Sequence, residues 1–529
     1  MGVYLSPGVY VKEKDISDVI ANIAETSAAL VGYSTKGDVD NIILVTTPLQ
    51  FIQEYGEPTP GDYFHYSALA YLENGIRLYC YRVHKSALYG GVSIVKAGSI
   101  YVSEAFSAGR SANTFQLESS NPDVLFQIFG KDPGTWDNSI SIKIGELDAV
   151  NYEFDITVYE KDVDGNDVVV EVWTVSRKTK VDGYGKQMYL ETKINGYSKY
   201  ITVADNIAMA DTVMPPVVAT LQFAGGSNGN AITSSELVAG WNKFINPDEV
   251  DIRLLINGGE TDLAVQTKIK EVAEARKDCV AILDVPYDEL ASVAAMINWR
   301  TTTQNFNSSY VALYSPWVQI YDQWNDIIVD APPSGYVASA MVYNDYVANP
   351  WYAPAGFNRG ILNVSGLTNI FTQGERDSLY EDQINPLQTF RGEGIVVWGQ
   401  KTEQTKASAL DRVNVRRLLI TIEKTIAAAL RYYCFEPNTE VTRFRVVATC
   451  EEYLDKLSAS NAFSVEAGDK GYRVLCDTTN NTPATIAANE LHVDLFIKPA
   501  AAAEFIQLQA IVTTRGASFE ELISRGIMW

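Results

Sequence analysis

The chain has 529 residues, 47% of them apolar and 20% charged, and its 42 basic and 65 acidic side chains leave a net charge of −23. That length exceeds one ordinary core and predicts about three or four folded domains, while the balance of charge repels a phosphate backbone and argues against nucleic-acid binding. No apolar run approaches the roughly 20 residues of a bilayer span, so no membrane insertion is expected.

The amino terminus shows no charged stretch leading into an apolar one, so no signal peptide is expected. Met1-Gly2 with Ser6 fits the N-myristoylation pattern, but Pro7 follows at once and no polybasic second signal lies nearby, so the match reads as chance. Five scattered cysteines (Cys80, Cys279, Cys434, Cys450, Cys476) show no C-x-x-C spacing and read as reduced, buried thiols of a cytoplasmic protein.

Residues 1–25 read as an extended arm, with β-branched and aromatic residues on both sides of a Pro7-Gly8 break. About 12 extended residues would reach ~40 Å. Residues 26–89 read as an α/β segment that packs with an outer or an inner domain. Its strands are Thr26–Tyr33, Ile42–Val45 and Ile76–Val83, and the spacing of Phe64, Ala68, Tyr71 and Leu72 predicts a helix over Tyr63–Asn74.

Residues 90–224 are β-rich. Asp164-Gly165-Asn166 predicts a hairpin between Phe154–Tyr159 and Val168–Val175, and Asn195-Gly196 one between Met188–Ile194 and Tyr200–Val203. Asp162, Asp164, Asn166 and Asp167 have the composition of a calcium loop, but Gly165 comes fourth where that loop needs its glycine sixth, so a turn is expected.

Residues 225–390 alternate strand and helix: Ile252–Ile256, helix Leu263–Arg276, Cys279–Leu283, helix Leu290–Ile297, Tyr310–Tyr314. This is the pattern of a parallel sheet with crossover helices. In residues 391–514, Val415, Leu418, Leu419, Ile422, Ile426, Ala429, Leu430 and Tyr433 mark one buried stripe of a long helix, with Asn414 as N-cap and Pro437 as stop. Val441, Phe444, Val447, Tyr453, Leu454 and Leu457 predict a second helix. Tyr472–Cys476 and the alternations Leu491 to Ile497 and Ile506 to Val512 predict strands, and residues 515–529 a tail capped by Ser518 and Glu521.

Chemistry is sparse. His65, His84 and His492 have no neighbour at metal-ligand spacing. Gly225-Gly226-Ser227-Asn228-Gly229 lacks the Lys and Ser/Thr of a phosphate loop and reads as a junction turn. Asn257-Gly258-Gly259 follows a strand where α/β folds bind ligands, so an enzyme reading would require it to line a pocket. Thr233–Glu236 and the pair Asp284/Asp288 show no acid set against a base or nucleophile. No catalytic residue, metal or cofactor is expected.

The segment Val413-Asn414-Val415-Arg416-Arg417-Leu418, the closing Phe435-Glu436-Pro437-Asn438, the strand ending in Lys498-Pro499 and the following Ala503-Glu504-Phe505-Ile506 together resemble the C-terminal domain of contractile phage tail sheath proteins. Further elements resemble that family in chain order: Ser6-Pro7-Gly8-Val9-Tyr10-Val11, Asp132-Pro133-Gly134-Thr135-Trp136-Asp137-Asn138, Phe223-Ala224-Gly225-Gly226 with Gly229, Pro332-Pro333-Ser334-Gly335, and Trp351-Tyr352-Ala353-Pro354-Ala355-Gly356. Two stretches depart from the pattern. Ala409-Leu410-Asp411-Arg412 stands where a larger aromatic or basic run is common, and the tail beyond Phe505 is longer than in compact members.

The resemblance implies an α+β multidomain fold: an inner α/β C-terminal domain completed by the N-terminal segment, a β-rich inserted domain, an α/β parallel-sheet middle domain, and extended N- and C-terminal arms. It implies a non-enzymatic subunit that polymerises as stacked hexameric rings around a tail tube. Contraction by rigid-body rearrangement would drive that tube through a host envelope, as in phage tails, R-type bacteriocins and related injection systems. Its partners would be copies of itself, the tail tube protein, and baseplate and terminator proteins, in a virion tail assembled in the host cytoplasm. The candidate inter-subunit arm strands are Val9, Tyr10 and Val11 and, at the other end, Ile511, Val512 and Thr513. The candidate tube-facing helix, about Thr439–Ser458, carries Arg443, Arg445, Glu451, Glu452, Asp455 and Lys456, with the β-rich and middle domains outside. The alternatives are a non-contractile virion shell or scaffold protein, and an enzyme on the α/β domain.

Overall fold

A computed structural model describes residues 26–96, 122–161, 165–466 and 469–505, and the backbone of 102–107. Both candidate arm strands, Val9–Val11 and Ile511–Thr513, lie outside the described residues.

The described chain opens with β1 (Ala28–Tyr33), β2 (Ile43–Val45), helices α1 (Pro48–Tyr55) and α2 (Tyr63–Leu72), and β3 (Leu78–Val83). The β-rich part follows as β4 (Leu88–Val95), β5 (Val102–Ser107), β6 (Val124–Gly130), β7 (Ile140–Asp148), β8 (Glu153–Lys161), β9 (Asp167–Val175), α3 (Leu190–Ile194), β10 (Ile201–Asp205) and β11 (Val218–Gln222). The chain then returns to α/β with α4 (Ser234–Asn242), β12 (Leu254–Ile256), α5 (Leu263–Arg276), β13 (Val280–Asp284), α6 (Val293–Asn298) and β14 (Val311–Ser315). After β15 (Val318–Asp322) and β16 (Ile327–Ala331) come α7 (Pro333–Val347), β17 (Ile361–Leu362), β18 (Gly366–Leu367), α8 (Gln373–Glu381), β19 (Ile384–Phe390) and β20 (Gly394–Val397). Last are α9 (Val413–Leu430), α10 (Glu440–Ala459), β21 (Tyr472–Leu475), α11 (Pro483–Ala487) and β22 (Asp494–Ile497).

One nine-stranded sheet dominates, in the order β17-β20-β19-β14-β13-β12-β1-β3-β2. Its middle is parallel from β19 to β3, with antiparallel strands at both margins. β1 and β3, from the start of the chain, thus continue the sheet built by residues 254–397. Alternation sorts the side chains onto two cores. Ala28, Leu30, Leu254, Ile256 and Ile282 join Phe64 and Ala68 of α2 and Val337 and Met341 of α7. Ala29, Val31, Leu255, Ala281 and Leu283 join Leu237 and Trp241 of α4 and Ile269 and Val272 of α5. Covered on both faces, the strands read as near-continuous apolar runs.

The β-rich part folds into two antiparallel four-stranded sheets, β10-β6-β4-β5 and β11-β7-β8-β9, around a core that includes Ile94, Ile128, Ile142 and Ile156. In the last part, α9 and α10 pack with the two-stranded sheet β21-β22 through Ile422, Val446, Leu454 and Val474. Helix α9 serves two cores, since Val413 and Ile420 belong with the large sheet whereas Leu418, Ile422 and Ile426 belong with α10.

Three expectations need correction. Met188–Ile194 is not a hairpin strand: Leu190–Ile194 is helical, burying Leu190 and Ile194 four residues apart, and the Asn195 side chain is exchanged with the backbone of Val203 instead of making a tight turn. Leu290–Ile297 is not one helix, because Ser292 is extended and caps a new start at Val293, following a 3-10 turn over Tyr287–Ala291. The N-cap of α9 is Arg412, and the Asn414 side chain instead donates to the Trp351 carbonyl.

Candidate assembly surfaces

The crevice beyond the strand ends, where an α/β fold would hold a ligand, is filled by the chain itself. Asp284, fully buried at the end of β13, accepts the Ser334 backbone N–H at 2.7 Å on Oδ1. Its Oδ2 accepts Ser334 Oγ at 2.7 Å, Gly259 N–H at 3.0 Å and Asn257 Nδ2 at 3.1 Å. Burial pushes this carboxyl up to about 6, opposed by those donors. The two segments thought suggestive in sequence, Asn257-Gly258-Gly259 and Pro332-Pro333-Ser334-Gly335, are therefore welded together. Asp284→Asn turns an acceptor into a donor facing donors, and is expected to cost about 2–3 kcal/mol. Exposed Asp288→Asn should cost under about 0.5 kcal/mol, and thermal unfolding of the two variants checks the difference. Among the described residues there is no group of three or more His, Cys, Asp or Glu able to hold a metal, and no helix long and apolar enough to cross a membrane.

Two further motif loops interlock between the large sheet and the β-rich part. Thr135 N–H donates to Asn228 Oδ1 at 2.8 Å, while Asn138 exchanges hydrogen bonds with the Gly226 backbone at 2.9 and 3.0 Å. A Cβ on Gly226 would stand 2.4 Å from the Gly134 carbonyl oxygen, so only glycine fits the approach. Buried Arg82 closes the junction by donating to three carbonyls: Ser34 at 2.7 Å, Gly37 at 2.6 Å and Pro133 at 2.8 Å.

The basic residues at the start of α9 fasten it to the rest of the chain. The Arg416 guanidinium lies 4.2 Å from the Tyr310 ring centroid and donates to Ser309. Arg417 pairs with Asp345 of α7, both side chains 6% exposed. About two turns on, Lys424 pairs with Asp251 and Asp278.

One end of the described chain meets the ion-pair partner of this helix, and the other meets its N-cap residue. Thr26, the first described residue, donates its hydroxyl to Asp345, and its carbonyl accepts Tyr71 OH at 2.8 Å. At the other end, Glu504 takes a two-pronged grip from Arg412, Nε at 2.7 Å and Nη2 at 3.0 Å, and also accepts Gln400 Nε2 and Tyr380 OH, each at 3.0 Å.

Of the six residues singled out on α10, Arg445, Glu452, Asp455 and Lys456 are exposed and Glu451 is half-buried. Arg443 is buried and donates to Asn438 Oδ1 at 2.9 Å, because it continues the inward stripe of Val446, Cys450, Tyr453 and Leu457. Glu452 and Lys456 pair one turn apart at 2.8 Å, whereas Asp455 turns to Lys470 and to Tyr472 OH, whose hydrogen bond comes first in holding its carboxyl below the usual range. Apolar side chains that periodicity assigned to the core also stand in solvent here: Phe444 is 73% exposed, beside Val441, Tyr432 and Phe435 at the α9–α10 connection.

Comparison with known proteins follows from this layout. The phage tail sheath protein central domain matches residues 230–403 and the phage tail sheath C-terminal domain matches 405–513. The tail sheath protein of Enterobacteria phage T4 is 33% identical over 380 residues, covering 68% of this chain and 56% of that protein. That of Vibrio phage KVP40 is 33% identical over 326 residues, covering 57% of this chain and 48% of that protein. The chain thus spans about half the length of these curated relatives. Its fold is shared with the sheath tail protein of Listeria innocua (TM-score 0.58, 12% identity, 86% of this chain and 89% of that one). It is shared too with an extracellular contractile injection system sheath complex in the contracted state (TM-score 0.54, 17% identity, 98% of this chain and 100% of that one).

Proposed function

Because this chain belongs to the phage tail sheath family, we propose that it is the repeating subunit of a contractile tail sheath, stacked as hexameric rings around a tail tube in a virion tail and assembled in the host cytoplasm. The observation that carries this reading is the sheet β21-β22, left open beside α9 and α10. Among the described residues β21-β22 pairs only within itself, and Phe496 on β22 is 55% exposed. A two-stranded sheet is marginal alone and its free edges are templates for added strands. The arms, with Val9–Val11 at one end and Ile511–Thr513 at the other, supply strands of the required kind to neighbouring copies. A head-to-tail joint of this sort that does not close in one ring propagates as a helix.

Contraction is then a change of lattice rather than of subunit. The interlocked junction, the filled crevice and the fastened α9 keep each body intact while arms carry the relative motion, and added contact between neighbours supplies the free energy. The exposed charges of α10 make it the face proposed for the tail tube, with baseplate and terminator proteins at the two ends of the sheath. Negative-stain electron microscopy of the chain expressed alone tests the reading. Hollow tubes with helical striations are expected without nucleotide. Closed particles would favour a shell protein, and contraction that required ATP would overturn the energetic account.

A further inference from the structure

The carboxyl-terminal end of the described chain runs into a groove of about 340 Å³ lined by Ala353, Gly356, Arg376, Tyr380, Pro386 and Trp398, with Phe505 at its lip. Beside it stands an aromatic shelf: Phe357, Phe390 and Trp398 meet with ring centroids 4.6–5.3 Å apart, and Phe357 and Trp398 remain 38% and 40% exposed. The grip of Arg412, Tyr380 and Gln400 on Glu504 holds the last described residues against the groove, whose wall they help to form. What continues is 24 residues, opening with Ile506, Leu508, Ala510 and Val512 alternating with Gln507, Gln509, Ile511 and Thr513. In extended form the first eight present one uniformly apolar face about 26 Å long.

We propose that residues 506–513 of the same chain seat in this groove and on its aromatic shelf while the subunit is free, and that assembly exchanges this seat for one on a neighbouring copy. Left loose, such a segment would be an unprotected strand able to pair at random. Seated in cis it is shielded, and exchange of like contacts between copies is a low-cost route to a polymer. The exchange rests on the sheath reading, but the seating does not.

The test uses the full chain with exposed Cys434 replaced by serine, Gln373→Cys on the groove wall and Leu508→Cys in the tail, at concentrations where it is monomeric, treated with a short bis-maleimide. A cross-linked species of monomer mass is expected. In a Trp398→Ala version with an unchanged circular dichroism spectrum, its yield should fall about tenfold, and in the chain that keeps Leu508 chymotryptic cleavage after that residue should rise about tenfold on Trp398→Ala. No cross-link, cross-links only between copies, or no effect of Trp398→Ala would each overturn the seating. Tubes formed by a chain that shows no cis cross-link would overturn the seating and leave the sheath reading standing. A cis cross-link in a chain that never forms tubes would support the seating and count against the sheath reading.

Discussion

A chain lacking residues 1–12 is expected to fold normally and to form no tubes. The body begins at Thr26, which is held by Asp345 and Tyr71, and the core of the large sheet begins at Ala28. These contacts are made by residues from Thr26 onward, and with them kept the unfolding free energy is expected to move by less than about 0.5 kcal/mol. What the deletion removes is one of two proposed ties per subunit. In a lattice where each copy must be joined at both ends, that halves the joints and leaves nothing to propagate. Circular dichroism and thermal unfolding should match the full chain, while electron microscopy shows single particles at concentrations where the full chain makes tubes. Striated tubes from the truncated chain would sink the arm assignment.

Arg417→Ala is expected to cost about 4 kcal/mol, the penalty for removing one partner of a buried pair and stranding the other. Asp345 would keep the Thr26 hydroxyl, a long contact to Asn344 and the weaker attraction of Arg253 in a site 6% exposed. Arg417→Lys keeps the charge but not the planar fork and should fall between the two. Asp345→Ala in the Arg417→Ala background should cost less than the sum of the single changes by at least about 1.5 kcal/mol, since the second substitution removes the stranded charge. Denaturant unfolding of the four variants measures this cycle. A cost below about 1 kcal/mol for Arg417→Ala would mean that the basic pair of the α9 motif does not fasten the helix.

Long periodic segments were legible in the sequence. Helix Leu263–Arg276 lies where its spacing put it, and the Asp164-Gly165-Asn166 signal correctly joined two strands. Short runs were not, because five residues such as Leu190–Ile194 satisfy both helical and strand spacing, and burial against β10 decided between them. The motifs were visible as strings, but their purpose was not. Asn138 meets Gly226 across 88 residues and Arg412 meets Glu504 across 92, partnerships that no local pattern encodes. Arg443 was misplaced for a related reason: charge suggested an outward side chain, whereas its register on α10 runs with Val446 and Cys450, and Asn438 satisfies its guanidinium.

Arg412, which grips Glu504, and Arg417, whose partner Asp345 also holds Thr26, are five residues apart at the start of α9, a separation of about 7.5 Å along the helix axis. In the proposed sheath, tension entering through one arm would therefore leave through the other after crossing less than two helical turns. The β-rich part, residues 88–222, hangs beside that short path instead of lying in series with it. On the proposed arm linkage, each subunit would be a link in a chain-mail fabric whose strength is set at the rivet and not by the size of the ring. Material can be added to or removed from the β-rich part without lengthening the path.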